Sequence, residues 1–108
     1  MLKIGQSESF WYPVEVKILD ENGNEVPYEF KARFRRLSRE QMVEVQTKKD
    51  LELMRENLLG WSGVVDAAEN PLPFTEENRE LVFSLWPVLP ATAQAFVEAH
   101  SPEGRAKN

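Results

Sequence analysis

The chain has 108 residues, of which 42% are hydrophobic and 29% charged, and carries a net charge of −5. That is one domain's worth of sequence, and its eleven aromatics (three Trp, two Tyr, six Phe) exclude disorder throughout. No apolar run approaches the roughly 20 residues of a membrane span, residues 1–6 lack the apolar core of a signal peptide, and the absence of cysteine removes disulfides, thiolate nucleophiles and cysteine-based zinc sites. The negative charge speaks against general nucleic-acid binding, and the missing cysteine suits a reducing cytoplasm. The charge is uneven, however. Lys31, Arg33, Arg35, Arg36 and Arg39 cluster, while acids dominate residues 52–80.

Two strands are predicted first. Over residues 13–19, Val14, Val16 and Ile18 alternate with Glu15 and Lys17. Over residues 25–35, Val26, Tyr28, Phe30, Ala32 and Phe34 alternate with polar or charged residues and Pro27. Period two sorts these into an apolar and a polar face. Asp20-Glu21-Asn22-Gly23-Asn24 supplies the turn, with Asn-Gly at its centre, so the pair reads as a hairpin. Pro27 lacks an N–H and points to a sheet edge or a bulge. Ser38 with Gln41 forms a capping-box pattern at a helix start. Met42, Val45, Lys49 and Leu53 share one helical stripe, and Leu51, Met54, Leu58 and Trp61 share a second, offset one. Asp50 marks the change: either it caps a second helix, or one long helix buries two faces. Gly60 and Gly63 end the helical run. Val64 and Val65 suit a short extended piece, and residues 66–70 a turn. Thr75 caps a helix with Glu76 and Glu77 in its first turn and Leu81, Val82, Leu85 and Trp86 on its apolar face. Pro87 ends or kinks it. Pro90 opens a last helix in which Ala93, Phe96, Val97 and His100 share a face. The expected fold is α+β: an N-terminal antiparallel hairpin followed by about four helices, as a single domain over residues 1–108 with loose ends at 1–10 and 102–108.

Catalytic chemistry is thin. His100 is the sole histidine, and no sequence neighbour suggests an orienting acid or a nucleophile beside it, so it reads as a helix-end residue near the surface. Glu76, Glu77 and Glu80 are explained by the helix dipole without a metal. Gly60-Trp61-Ser62-Gly63 is too short for a phosphate loop and lacks its lysine. The chain is expected not to be an enzyme, with no catalytic, metal or cofactor site. Lys31, Arg33 and Arg35 share a strand face, with Arg36 and Arg39 nearby. They could meet nucleic acid, but they read first as a solvated face partly balanced by Glu15. Tyr28, Phe30 and Phe34 lie on the opposite face, so no mixed aromatic and basic platform is expected from them. Trp61, Phe74, Trp86, Leu89 and Phe96 are the candidate partner-binding residues. Indoles at helix ends suit interfaces, although core packing explains most such aromatics. Trp11 falls outside the regular pattern.

Leu58-Leu59-Gly60-Trp61-Ser62-Gly63-Val64, an acidic turn, and then Asn70-Pro71-Leu72-Pro73-Phe74-Thr75-Glu76-Glu77-Asn78 form a distinctive run. It resembles the tail assembly chaperones of long-tailed phages and prophages, and with the preceding basic strand and capped helix the likeness covers roughly residues 25–100. The resemblance implies a factor in the cytoplasm of the bacterial host, absent from the mature virion. Such a factor binds the helical tape measure protein and assists tail tube assembly. It also implies two product lengths made by ribosomal frameshifting. This chain matches the short form, and tail tube protein is reached only through the longer one. Ala106-Lys107-Asn108 is compatible with a slippery codon run. Self-association is possible on this reading, and a membrane or nucleic-acid partner is not expected. The alternative is a small nucleic-acid-binding regulator using the basic face of residues 31–39.

Overall fold

The computed structural model describes residues 1–106. Its elements are β1 (Ser9–Leu19), β2 (Glu25–Arg35), α1 (Arg39–Val45), α2 (Asp50–Asn57), β3 (Leu58–Ser62), α3 (Glu76–Phe83), α4 (Val88–Ala99) and α5 (Pro102–Arg105). The expected α+β order of hairpin then helices is present, with a third strand added. Lys107 and Asn108, which complete the suggested slippage run, lie outside the described residues.

β1 and β2 pair antiparallel from Ser9↔Arg35 to Leu19↔Glu25. The strand starts four residues earlier than expected, because consecutive aromatics at Phe10, Trp11 and Tyr12 hide the alternation. Phe10 and Tyr12 stand opposite Phe34 and Ala32, whereas Trp11 stands opposite Arg33. The turn is built on Asp20. Its Oδ1 accepts from the N–H groups of Asn22 and Asn24, both at 2.9 Å, and Gly23 takes φ 80°. Residues 66–70 repeat this device. Asp66 Oδ1 accepts from Ala68 and Asn70, again at 2.9 Å, but the left-handed position is filled by Glu69 at φ 64°. A single bridge, Val65↔Pro71, closes this second small hairpin.

Ser38 caps α1 with both halves of the capping box formed. The two offset stripes belong to two helices, not one: α1 buries Val45 and α2 buries Leu53 and Met54. Lys49, not Asp50, occupies the N-cap of α2. The second stripe does not stay helical through Leu58 and Trp61. The helix stops at Asn57, and residues 58–62 form β3, which pairs antiparallel with β2 in the order β1-β2-β3. The register slips between Arg33 and Phe34, so that Phe34 faces Leu58 while Arg33 faces Gly60. Leu59 is thus the extra residue of a β-bulge. A bulge reverses the alternation, which puts Leu58 and Trp61 on the same sheet face although they are three apart. Three-residue spacing is also the helical signature, hence the misreading.

Thr75 caps α3, its side chain accepting from Asn78 N–H at 3.0 Å. The Trp86–Pro87 peptide bond is cis. α4 begins at Val88, so Pro90 lies inside its first turn, and its buried residues are Val88, Thr92, Ala93, Ala95 and Phe96. Val97 is exposed, in contrast to the expected face. α4 packs on β1 and α2, and the core centres on Phe34, Phe96, Met54, Val14 and Thr92. Phe34 and Phe96 meet edge to face at 5.1 Å.

Within the ends expected to be loose, residues 7–10 and 102–105 are held, while residues 1–6 are exposed. Arg36 Nε donates to the Ser7 carbonyl at 2.7 Å, its guanidinium lies 5.2 Å from the Phe10 ring centre, and Arg36 N–H donates to Glu8 at 2.8 Å. Residues 102–105 form a turn of helix capped by Ser101. Gly104 lets that turn sit against α4, since a Cβ there would come within 2.9 Å of Glu98 Cα.

Candidate functional site

The inner face of the hairpin is buried or half-buried along its length except at Tyr28. At the open end, Phe10 and Phe34 are covered by the C-terminal half of α4, with His100 5.3 Å from Phe10 and 4.8 Å from Phe96 between ring centres. Toward the turn Ile18 and Val26 are half-buried, and Tyr28 is 56% exposed although it belongs to the apolar row. α3 passes beside this stretch; it ends at Phe83, so that Leu85 and Trp86, expected on its apolar face, lie beyond it, and Leu81 and Leu85 are exposed at 61% and 52%. Between them lies a groove of about 590 Å³. Its floor is Val16, Ile18, Tyr28 and Phe30; one wall is Leu81, Val82 and Leu85; one end is closed by Val64, Val65 and Leu72. The charged residues in its lining are Glu29 and Asp66, both acidic. The volume and apolar lining are those of a recognition site, and exposed apolar surface of this continuity marks an interaction surface.

The candidate aromatics divide sharply. Trp61 and Phe74 clasp the 63–72 loop from behind: Trp61 Nε1–H donates to the Leu72 carbonyl at 2.7 Å, and its ring meets Phe74 edge to face at 4.9 Å. They hold the end of the groove without lining it. The Gly-Trp-x-Gly and Pro-Leu-Pro-Phe pieces of the distinctive run thus form one structural clasp. Phe96 is fully buried and presents no surface for a partner, while Leu89 is half-buried against the core and stands outside the groove lining. Trp86 is 73% exposed but stands outside the groove lining. The groove residues Ile18, Tyr28, Leu81 and Leu85 were missed because each fits an ordinary amphipathic pattern.

α3 is held in place by charge. Arg55 of α2 donates through Nε to Glu80 Oε1 at 2.9 Å, and Arg79 Nε donates to Glu80 Oε2 at 3.2 Å. The hydrogen bond from Arg55, helped by Arg79, keeps the Glu80 carboxyl below the usual glutamate range. Glu80 is therefore spent on Arg55 and Arg79, and no cluster of His, Asp or Glu side chains suited to a metal ion occurs among the described residues. Both ring nitrogens of His100 are also engaged. Nε2 accepts from Leu37 N–H at 3.1 Å, which leaves Nδ1 as the donor to the Phe96 carbonyl at 2.9 Å.

The basic face differs from expectation in composition. Opposite Lys31, Arg33 and Arg35 stand Pro13, Trp11 and Ser9 on β1, and Lys31 and Arg33 face Ser62 and Gly60 on β3. Glu15 is paired across from Glu29 and lies within 4.0 Å of Lys17, so it does not stand opposite any of the three bases. Trp11, 52% exposed, stands among them. Arg36 is turned to Ser7 and Phe10, and Arg39 pairs with Glu40 at 3.4 Å, so neither joins that face freely. No single helix among the described residues is long and apolar enough to cross a membrane. Compared with family models, curated proteins and solved structures, the chain matches none.

Proposed function

We propose that the chain is a tail assembly chaperone of a long-tailed phage or prophage, a non-catalytic factor of the host cytoplasm that binds helical segments of the tape measure protein while the tail tube assembles. The sequence run of residues 58–78 suggests the family. The observation that carries the binding mode is the apolar groove between the far half of the hairpin and α3. A helix fits it better than a strand. β3 pairs with β2 only from Lys31 onward, so residues 25–29 keep a free edge, and Pro27 in the middle of that edge offers no N–H to an incoming strand. An amphipathic helix needs no backbone partner and offers an apolar stripe to the groove. Co-expression with the tape measure protein tests the reading. A soluble complex is expected, lost with Leu85→Glu. Unchanged tape measure solubility and no complex on purification would defeat it.

A second reading is favoured by Trp11 among Lys31, Arg33 and Arg35: an indole beside unbalanced bases is the pairing used to stack and neutralise a single-stranded nucleic acid. A salt titration of oligonucleotide binding separates the two readings, since phosphate contacts weaken steeply with salt. No binding at low salt removes this second reading.

A further inference from the structure

We infer that the outer edge of β1 pairs with the same edge of a second copy of this chain, antiparallel about a two-fold axis at Val16, so that the two sheets join into one. β2 lies between β1 and β3, and among the described residues no strand pairs with the other edge of β1. Which backbone groups point toward that edge follows from the ends of the hairpin. Asp20 N–H donates to the Asn24 carbonyl and Arg36 N–H to the Glu8 carbonyl, both at 2.8 Å. In the unbroken register between these pairs, the even-numbered residues of β1 bond to β2. The odd-numbered ones, Trp11 to Leu19, turn N–H and C=O outward, with their side chains on the face that carries Lys31 and Arg33. Pro13 is one of them, so its missing N–H removes no bond from the hairpin and one donor from the outer edge. Beside that edge lies a cleft of about 420 Å³, lined by Pro13 and Glu15 and by Ala91, Gln94 and Glu98 of α4.

Charge complementarity names the occupant and the register. An edge that meets its own copy sets each pair of residues opposite each other twice, and the hydrogen-bonded pairs join outward-turned, odd-numbered residues. Centred on Val16, Glu15 faces the second copy's Lys17 and Lys17 faces its Glu15, which gives two opposite-charge pairs. Glu15, Lys17 and Leu19 then donate to the carbonyls of Lys17, Glu15 and Pro13 across the axis. Centring on Glu15 or on Lys17 would oppose like charges, and centring on Pro13 would oppose two residues without a donor. Lys and Pro are the residue types that blunt an edge, but here Lys17 is answered by Glu15 and Pro13 still accepts. The register also explains Leu19, which is 65% exposed on the outer face and gains an apolar neighbour in the second copy's Pro13. Within one chain Lys17 lies 4.0 Å from Glu15 and 3.8 Å from Glu25, exposed contacts that the second copy's Glu15 can replace.

Sedimentation equilibrium of the full chain tests the pairing. The mass is expected to rise from one chain to two with concentration, and amide exchange at Glu15, Lys17 and Leu19 to slow with it. Glu15→Lys and Lys17→Glu each oppose like charges twice and should each weaken the dimer by about tenfold or more. The double variant Glu15→Lys/Lys17→Glu restores both pairs at the parent's net charge and should return to within about threefold of the parent's affinity. Both positions are exposed, so the circular dichroism spectrum should be unchanged in all three variants. A chain that is monomeric at every concentration leaves the edge to another partner or to solvent and overturns the inference. So does a dimer whose affinity is unaffected by the single variants, or one that the double variant fails to restore.

Discussion

Glu69 occupies the left-handed position that Gly23 fills in the matching turn of the hairpin. A side chain there costs about 1–2 kcal/mol, partly offset by the extra unfolded-state freedom of glycine. Glu69→Gly should therefore stabilise the chain by about 0.5–1 kcal/mol in urea unfolding. His100 is expected to matter for folding. His100→Ala strands the Leu37 N–H and removes a ring packed on Phe10 and Phe96, at a cost of about 2–3 kcal/mol. Phe96 and Trp86 look equivalent on paper, yet Phe96→Ala should cost about 3–5 kcal/mol, and Trp86→Ala about 0.5 kcal/mol or less, given their opposite burial. Capping residues were legible because their chemistry is local: Ser38 with Gln41, Thr75 and the Asp20 turn all behave as their neighbours dictate. Burial of a particular aromatic was not legible, because it depends on what lies across from it.

At the scale of elements, β3 shows how a local rule can mislead. Residues 51–61 carry a regular helical stripe, but the free edge of β2 competes for residues 58–62, and the bulge at Leu59 reconciles the stripe with a strand. Tertiary pairing decided the outcome, and nothing within the segment records it. The wall helix α3 depends on α2 through Arg55 and Glu80. The folded-state pKa of Glu80 lies below its unfolded value. Its contribution is therefore complete above the ordinary glutamate range and is lost as pH falls through the depressed value. Partial exposure of the pair keeps the effect small. Glu80→Gln should destabilise the chain measurably near pH 7, with the difference from the parent fading as acid protonates Glu80 below the ordinary glutamate range. Just beyond the end of that helix, Leu85→Glu should alter stability by no more than about 0.5 kcal/mol, since Leu85 is already exposed. It should weaken helix binding by about tenfold or more, the worth of one well-buried leucine.

The whole molecule measures 49 × 29 × 28 Å, with a radius of gyration of 14.8 Å against about 13 Å for an ordinary domain of 100 residues. The excess fits an exposed N-terminal arm, and the groove lies at the turn end of the hairpin, over Ile18 and Tyr28. Charge is divided along the outer sheet face: Lys31, Arg33 and Arg35 lie beside Trp11 toward the open end, and Glu15 and Glu29 lie toward the turn. The alternation of Lys31, Arg33 and Arg35 with Phe30, Ala32 and Phe34 made the two faces legible in the sequence. Which face was left uncovered was not, because that is set by the placement of α4 and α3. The most direct test of the groove is amide hydrogen exchange of the chain with and without a helical segment of the tape measure protein. Protection is expected at residues 16–18, 26–30 and 81–85. Protection confined to residues 9–13 and 31–35, or none at saturating peptide, would contradict the account.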